Sequence, residues 1–198
     1  DHRFRDHSGV DWYRTLGAVK NFFVPSSSTF GGSTITQQLI KNLTNNKEVT
    51  VVRKFNEILT ALNLEEHYDK DTIIEAYLNT LYLGSGCYGV KTASEEYFGK
   101  DVSELNAAEC AVIASITQAP TKWNPLLNPE NNRERQLSCL EKMNKEGFLT
   151  AEEYEDAINF SLIFTNSENY VPDEDEEEEE IVEEEEDYTR EILICIAV

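Results

Sequence analysis

The chain has 198 residues, 40% of them hydrophobic, which is enough for one domain with a sizeable core. Its net charge of −21 argues against a nucleic-acid partner, because phosphate contacts need basic patches. No apolar run approaches the roughly 18 residues of a membrane-spanning helix, and the spacing of Cys87, Cys110, Cys139 and Cys195 matches no metal pattern, which leaves buried free thiols as the expectation.

In chain order, residues 1–9 carry no periodicity, and Trp12, Tyr13, Leu16 and Val19 then fit one helical stripe. Residues 21–30 run through Pro25 into four consecutive hydroxyl side chains, a breaker followed by a polar linker. Gly31-Gly32 opens the next segment, where Thr34 and Gln37 match a capping box and Ile35, Leu39 and Leu43 form an apolar stripe. The opposite face of this helix carries Gln37, Gln38, Lys41 and Asn42. A glycine turn, free helix amides and a lysine one turn later suit an anion.

After a polar connection at 44–50, Phe55, Ile58, Leu59 and Leu62 stand at helical spacing and are expected to face a core. Arg53 and Glu57 are four apart on another face, with Lys54 beside them. A helix over 69–83 is expected to turn Ile73, Ile74, Tyr77, Leu78 and Leu81 inward, with Glu75 and Asn79 together on one side. The glycine-rich loop at 84–89 lacks the pattern of a nucleotide site. Short helices follow at 90–98 and, from an Asn106/Glu109 capping box, at 107–117. An extended loop around Trp123–Pro129 leads to a charged helix at 133–146, expected to bury Leu137, Leu140 and Met143. A last helix starts at the Thr150/Glu153 capping box and runs to about Asn159. Residues 173–191 hold 14 Asp and Glu against one Arg, a composition that cannot fold alone. Strand signals are few, so the expected fold class is mainly α.

Five ordered blocks carry a resemblance. Residues 1–9, Asp-His-Arg-Phe-Arg-Asp-His-Ser-Gly, resemble a motif Glu-Asp-x-x-Phe-x-x-His-x-Gly; residues 31–42 resemble a second, Gly-Gly-Ser-Thr-Ile-Thr-Gln-Gln-Leu-Ile-Lys-Asn; and Arg53-Lys54-Phe55-Asn56-Glu57 fits Arg-Lys-x-x-Glu. Residues 75–79 with Tyr82, Gly84, Gly86, Tyr88 and Gly89 form the fourth block, and Tyr97-Phe98-Gly99-Lys100 with Leu105, Glu109, Pro120, Asn124 and Pro125 the fifth. On these blocks, over roughly residues 1 to 160, the sequence is identified as a member of glycosyltransferase family 51, the peptidoglycan glycosyltransferase domains of class A penicillin-binding proteins and their monofunctional relatives.

The resemblance implies a lysozyme-like helical lobe with a smaller mobile lobe over residues 1–170, followed by an acidic, disordered tail or linker at 171–198. It implies polymerisation of lipid II, with inversion and loss of undecaprenyl diphosphate. Glu57 is then the catalytic carboxylate of this chain. Ser33, Thr34, Gln37, Gln38, Lys41, Asn42, Arg53 and Lys54 are substrate-binding, with Lys41, Arg53 and Lys54 in one groove around the donor diphosphate. Asp1, Phe4, His7, Glu75, Tyr77 and Asn79 support the site. No cofactor is required, though a divalent metal at the diphosphate is compatible. The implied partners are lipid II, the growing glycan strand, the membrane surface and a transpeptidase domain in the full-length protein, all at the outer face of the bacterial cytoplasmic membrane.

The resembled first motif begins with a catalytic glutamate directly before the aspartate, and this sequence begins at Asp1. The expectation is of an N-terminally truncated chain that lacks its general base and does not polymerise lipid II as written. The alternative is an inert lipid II binding fragment. A lytic transglycosylase fits less well, because cleaving glycan needs no diphosphate site such as Arg-Lys-x-x-Glu.

Overall fold

The computed structural model describes residues 1–23, 31–44 and 50–172. The expected linker around 24–30, the connection at 45–49 and the acidic tail from 173, including Cys195, lie outside the described residues. The rest is helical: α1 (Trp12–Phe23), α2 (Ile35–Thr44), α3 (Val51–His67), α4 (Lys70–Thr80), α5 (Val90–Phe98), α6 (Ala107–Ile116), α7 (Pro129–Lys145) and α8 (Ala151–Asn159). Among the described residues the sole β pairing is an antiparallel bridge between Tyr82 and Tyr88. The mainly α expectation holds.

Residues 1–80 and the described residues from 81 onward form two compact units. In the first, α2, α3 and α4 pack around Phe4, Leu39, Ile40, Ala61, Leu64 and Ile73. Fully burying a Leu or Ile side chain contributes about 1.5–3 kcal/mol, so this cluster accounts for much of the unit's cohesion. Gly9 makes the packing tight: its φ is +79°, and a Cβ there would stand 2.4 Å from the Ala61 carbonyl oxygen. A side chain at either requirement, the left-handed backbone or the close approach, would be strained.

In the second unit, α6, α7 and α8 enclose Ala108, Ala111, Leu140 and Ala157. The Asn106 and Thr150 capping boxes form as the sequence predicts, each side chain accepting from the third helical amide while the glutamate there returns to the cap amide.

Four expectations need correcting. On α3, Phe55 and Leu59 are 60% and 50% exposed, and the inward residues are Glu57, Ala61 and Leu64. Periodicity finds a stripe but not its direction; here cations neutralise Glu57 and let its face turn inward. On α4, the helix ends at Thr80 and Leu78 is exposed, while Ile73 is the buried position. Helix α7 begins at Pro129, whose fixed φ and missing amide suit a first helical position. Its buried face is Asn132, Gln136 and Leu140, with Leu137 exposed, because Gln136 donates to the Ala108 carbonyl (2.7 Å) and Asn132 to the Trp123 carbonyl (2.7 Å). Of the cysteines, Cys87 is a buried free thiol, Cys139 is half-buried and Cys110 is exposed.

Candidate functional site

The first unit gathers most of the expected site residues around the start of α2. Thr34 caps that helix: its hydroxyl accepts from the Gln37 amide (3.2 Å), and the Gln37 side-chain oxygen accepts from the Thr34 amide (3.2 Å). The Thr34 hydroxyl also donates to the Gly9 carbonyl (2.7 Å), which pins the cap to the opening segment. From that segment the Asp1 carboxylate accepts the Ile35 amide (3.1 Å), a charge-assisted contact at a helix N-terminus.

His7 lies 3.0 Å from the same Asp1 oxygen through Nε2, and both side chains are buried. A carboxylate can only accept, so His7 donates from Nε2. Burial, and after it the Lys70 charge, lower the His7 pKa against the opposing pull of Glu65 and Asp11. Its Nδ1 is buried without a hydrogen-bond partner among the described residues. Phe4 packs in the core with Lys70 Nζ 4.4 Å from its ring centroid.

Helix α3 brings the charged cluster. The Thr50 hydroxyl caps it by accepting the Arg53 amide (3.1 Å), so Arg53, Lys54 and Glu57 occupy its first two turns. Glu57 is 6% exposed and takes both cations, Arg53 Nη1 at 2.8 Å and Lys54 Nζ at 2.5 Å. Lys54 Nζ reaches further, to Ser33 Oγ (3.0 Å) and Gln37 Oε1 (3.1 Å), and so joins the cluster to the α2 cap.

Lys41 and Arg53 face one cleft of about 220 Å³, whose walls also include Thr44, Asn56, Glu57 and Thr60. Lys54, Ser33 and Gln37 are not among its walls; they lie on the α2 cap side of Glu57. The expected groove of three cations is thus two in the cleft and one in the cap. Arg53 Nε and Gln37 Nε2 are buried without a hydrogen-bond partner among the described residues. Gln38 is exposed and accepts from the Tyr77 hydroxyl (3.4 Å). Asn42, Glu75 and Asn79 are exposed and none lines the cleft.

Five participants lie outside the residues expected from the sequence: Arg3, Asp11, Thr36, Glu65 and Lys70. Asp11 is buried and takes the Arg3 guanidinium through Nε (3.0 Å) and Nη2. Glu65 accepts from Thr36 Oγ1 and from Lys70 Nζ (2.5 Å), with its side chain 3% exposed. The available signal for Glu65 was its position eight residues after Glu57, on the same side of α3.

A profile of the family described as Transglycosylase matches residues 1–144. The chain belongs to the transglycosylase family. Its relatives include penicillin-binding protein 1A of Aquifex aeolicus (strain VF5), 42% identical over 170 residues, which cover 86% of this chain and 23% of that protein. Penicillin-binding protein 1F of Bacillus subtilis (strain 168) is 43% identical over 153 residues, covering 77% of this chain and 21% of that protein. The chain therefore spans about a quarter or less of these curated relatives. A crystal structure of penicillin-binding protein 1A from Haemophilus influenzae matches 67% of this chain and 17% of its own at 30% identity, with a TM-score of 0.44. That superposition is too partial to bear on the fold of this transglycosylase-family chain, which rests on its own helices.

Proposed function

We propose that this chain is a peptidoglycan glycosyltransferase domain that binds the diphosphate of lipid II between α2 and α3. The observation that supports the reading is a single cleft lined by Lys41, Arg53 and the buried Glu57, with Arg53 paired to Glu57. Two cations and one carboxylate suit an anion rather than a divalent metal, so no step is assigned to a metal. The unpartnered Arg53 Nε adds a donor that acceptor oxygens would satisfy.

In the proposed reaction the acceptor 4-hydroxyl attacks the anomeric carbon of the lipid-linked donor opposite the diphosphate. The new C–O bond forms as the bond to the diphosphate breaks, and the configuration inverts. The hydroxyl proton passes to a carboxylate base; in the resembled first motif that base stands directly before the position of Asp1. Undecaprenyl diphosphate leaves with the electron pair, and Lys41 and Arg53 stabilise the charge that grows on it. Glu57 holds Arg53 and Lys54 in place; Ser33, Thr34, Gln37 and Gln38 order the α2 end of the site.

The substrate is lipid-anchored, and the exposed apolar side chains support a lipid surface beside it. Trp12, Tyr13 and Leu16 on α1 are 53%, 79% and 65% exposed, and Val51, Val52, Phe55 and Leu59 form an outward stripe on α3. This reading places the chain at the outer face of the cytoplasmic membrane, alongside a transpeptidase domain of the kind found in class A penicillin-binding proteins.

The test is binding of a diphosphate-lipid donor or a phosphoglycolipid inhibitor. A charge-assisted contact to phosphate contributes about 1.5–3 kcal/mol, so Arg53→Ala or Lys41→Ala should weaken binding roughly ten- to a hundredfold. Lys142→Ala, on the exposed side of α7, should change little. Unchanged binding in both cleft variants overturns the proposal.

A further inference from the structure

Helix α3 carries a second buried carboxylate that the proposed reaction does not use. Glu57, Ala61 and Glu65 stand at i, i+4 and i+8, one line along the helix that faces α2. Ala61 is fully buried, and Glu57 and Glu65 are almost so. Each carboxylate is tied to the first turn of α2. Glu57 reaches Gln37 through Lys54, and Glu65 receives the Thr36 hydroxyl directly. Thr36 itself is fully buried, so this bond has no competing water.

Lys70 completes the arrangement from the start of α4. It pairs with Glu65 while its ammonium lies over the Phe4 ring. Phe4 belongs to the same short segment as Asp1, whose carboxylate holds the Ile35 amide at the opening of α2. The first turn of α2 is therefore gripped by three separate partners: the Asp1 and Glu65 carboxylates accept from Ile35 and Thr36, and the Lys54 ammonium donates to Gln37.

We infer that Glu65 is a positioning residue, which with Lys70 fixes the first turn of α2 so that its cap, Lys54 and Glu57 hold the geometry that donor binding needs. This inference rests on the diphosphate reading of the cleft. Glu65 touches no substrate; it acts through Thr36. A carboxylate spent only on stability could have been an apolar side chain of similar volume, since buried ion pairs are often matched or exceeded by hydrophobic packing. What an apolar residue could not supply is a directional bond to one hydroxyl in the turn that carries Gln37.

The test compares Glu65→Gln, Thr36→Val and their double variant with two references. Thr36→Ser keeps the hydroxyl, and Leu140→Ala lowers stability in the other unit. Binding of a diphosphate-lipid donor is measured at a temperature where every variant is folded. Glu65→Gln and Thr36→Val should each weaken binding roughly five- to twentyfold, about the effect of losing one charge-assisted hydrogen bond. The double variant should be no weaker than the worse single, because both act through one bond. Thr36→Ser and Leu140→Ala should bind like the parent. In the ligand-free protein, amide exchange at Ile35 and Gln37 should accelerate about tenfold in the two single variants.

Loss of Tm with parental binding and parental exchange at those amides makes Glu65 merely structural and overturns the inference. If Arg53→Ala and Lys41→Ala also bind like the parent, the diphosphate reading fails and this inference falls with it. If those two weaken binding while Glu65→Gln and Thr36→Val do not, only the positioning role is wrong. Should Glu65→Gln not fold, the comparison of Thr36→Val with Thr36→Ser decides alone.

Discussion

Replacing Glu57 by alanine is the most informative single perturbation of this molecule. The carboxylate is 6% exposed and accepts from Arg53 at 2.8 Å and Lys54 at 2.5 Å. Removing one partner of a buried pair commonly costs about 3–5 kcal/mol, because a buried charge is left uncompensated. Here the two cations are not fully enclosed, their side chains being 21% and 35% exposed. Lys54 also keeps Ser33 and Gln37 as acceptors. Partial rehydration therefore lowers the expected loss to about 2–3 kcal/mol, equivalent to a fall in Tm of roughly 5–10 °C for a chain of this size. Glu57→Gln retains one acceptor oxygen and should lose about half as much. Circular dichroism melts give the Tm values, and a double-mutant cycle with Arg53→Ala isolates the pair. The cycle should return a coupling of about 1–2 kcal/mol. A fall below about 2 °C together with zero coupling would refute the claim that burial of Glu57 depends on its cations.

Three further outcomes are expected. Burial raises the Asp11 pKa, but the bonds from Arg3 and the Arg14 amide outweigh it and leave the carboxyl below its ordinary value. A depressed folded pKa gives stability that is present above the unfolded value of about 3.9 and is lost as pH falls through the folded one, so Asp11→Asn should flatten the part of the acid-denaturation curve below about pH 4. Gly9→Ala should cost about 3–5 kcal/mol, from the left-handed backbone and a Cβ 2.4 Å from the Ala61 oxygen, whereas Gly86→Ala, at φ +85° with open space around it, should cost only about 1–2 in urea melts. The Tyr97 phenol, pushed up to about 12 mainly by burial, donates to the Leu83 carbonyl (2.7 Å) and accepts from Asn124 (3.3 Å); Tyr97→Phe should destabilise by about 1–2 kcal/mol, and an unchanged Tm would show that water replaces the hydroxyl.

Local chemistry was the legible part of the sequence. Capping boxes act within three residues, so Thr34, Asn106 and Thr150 announced their helices, and α5 falls on the predicted 90–98. The i, i+4 relation of Arg53 and Glu57 was equally readable. What could not be read is which way a face turns, since that depends on partners distant in sequence. Gln136 is inward because the Ala108 carbonyl waits 28 residues away, and Glu65 because Thr36 lies 29 residues back. A polar residue with such a partner buries as readily as a leucine, and hydrophobicity counts it as surface. Lys54 shows the same limit on a smaller scale. Spacing put it beside Arg53, but Ser33 and Gln37 draw its ammonium into the α2 cap and away from the cleft.

Helix α3 joins these points. It carries apolar side chains on both faces: Ala61 and Leu64 are buried alongside Glu57 and Glu65, while Val51, Val52, Phe55 and Leu59 are turned outward at 88%, 70%, 60% and 50% exposure. Each such side chain forgoes up to about 1.5–3 kcal/mol of burial while water covers it. A protein that needed only a stable bundle would carry polar side chains at those four outward positions. The arrangement becomes sensible if both faces have partners: core, cations and an anionic ligand on the inner side, acyl chains on the outer. A diphosphate joined to a long lipid is one molecule with both requirements. On the proposed reading, α3 is oriented by its substrate chemistry, and the helix core accommodates that orientation through the small Ala61 and the Gly9 contact against it.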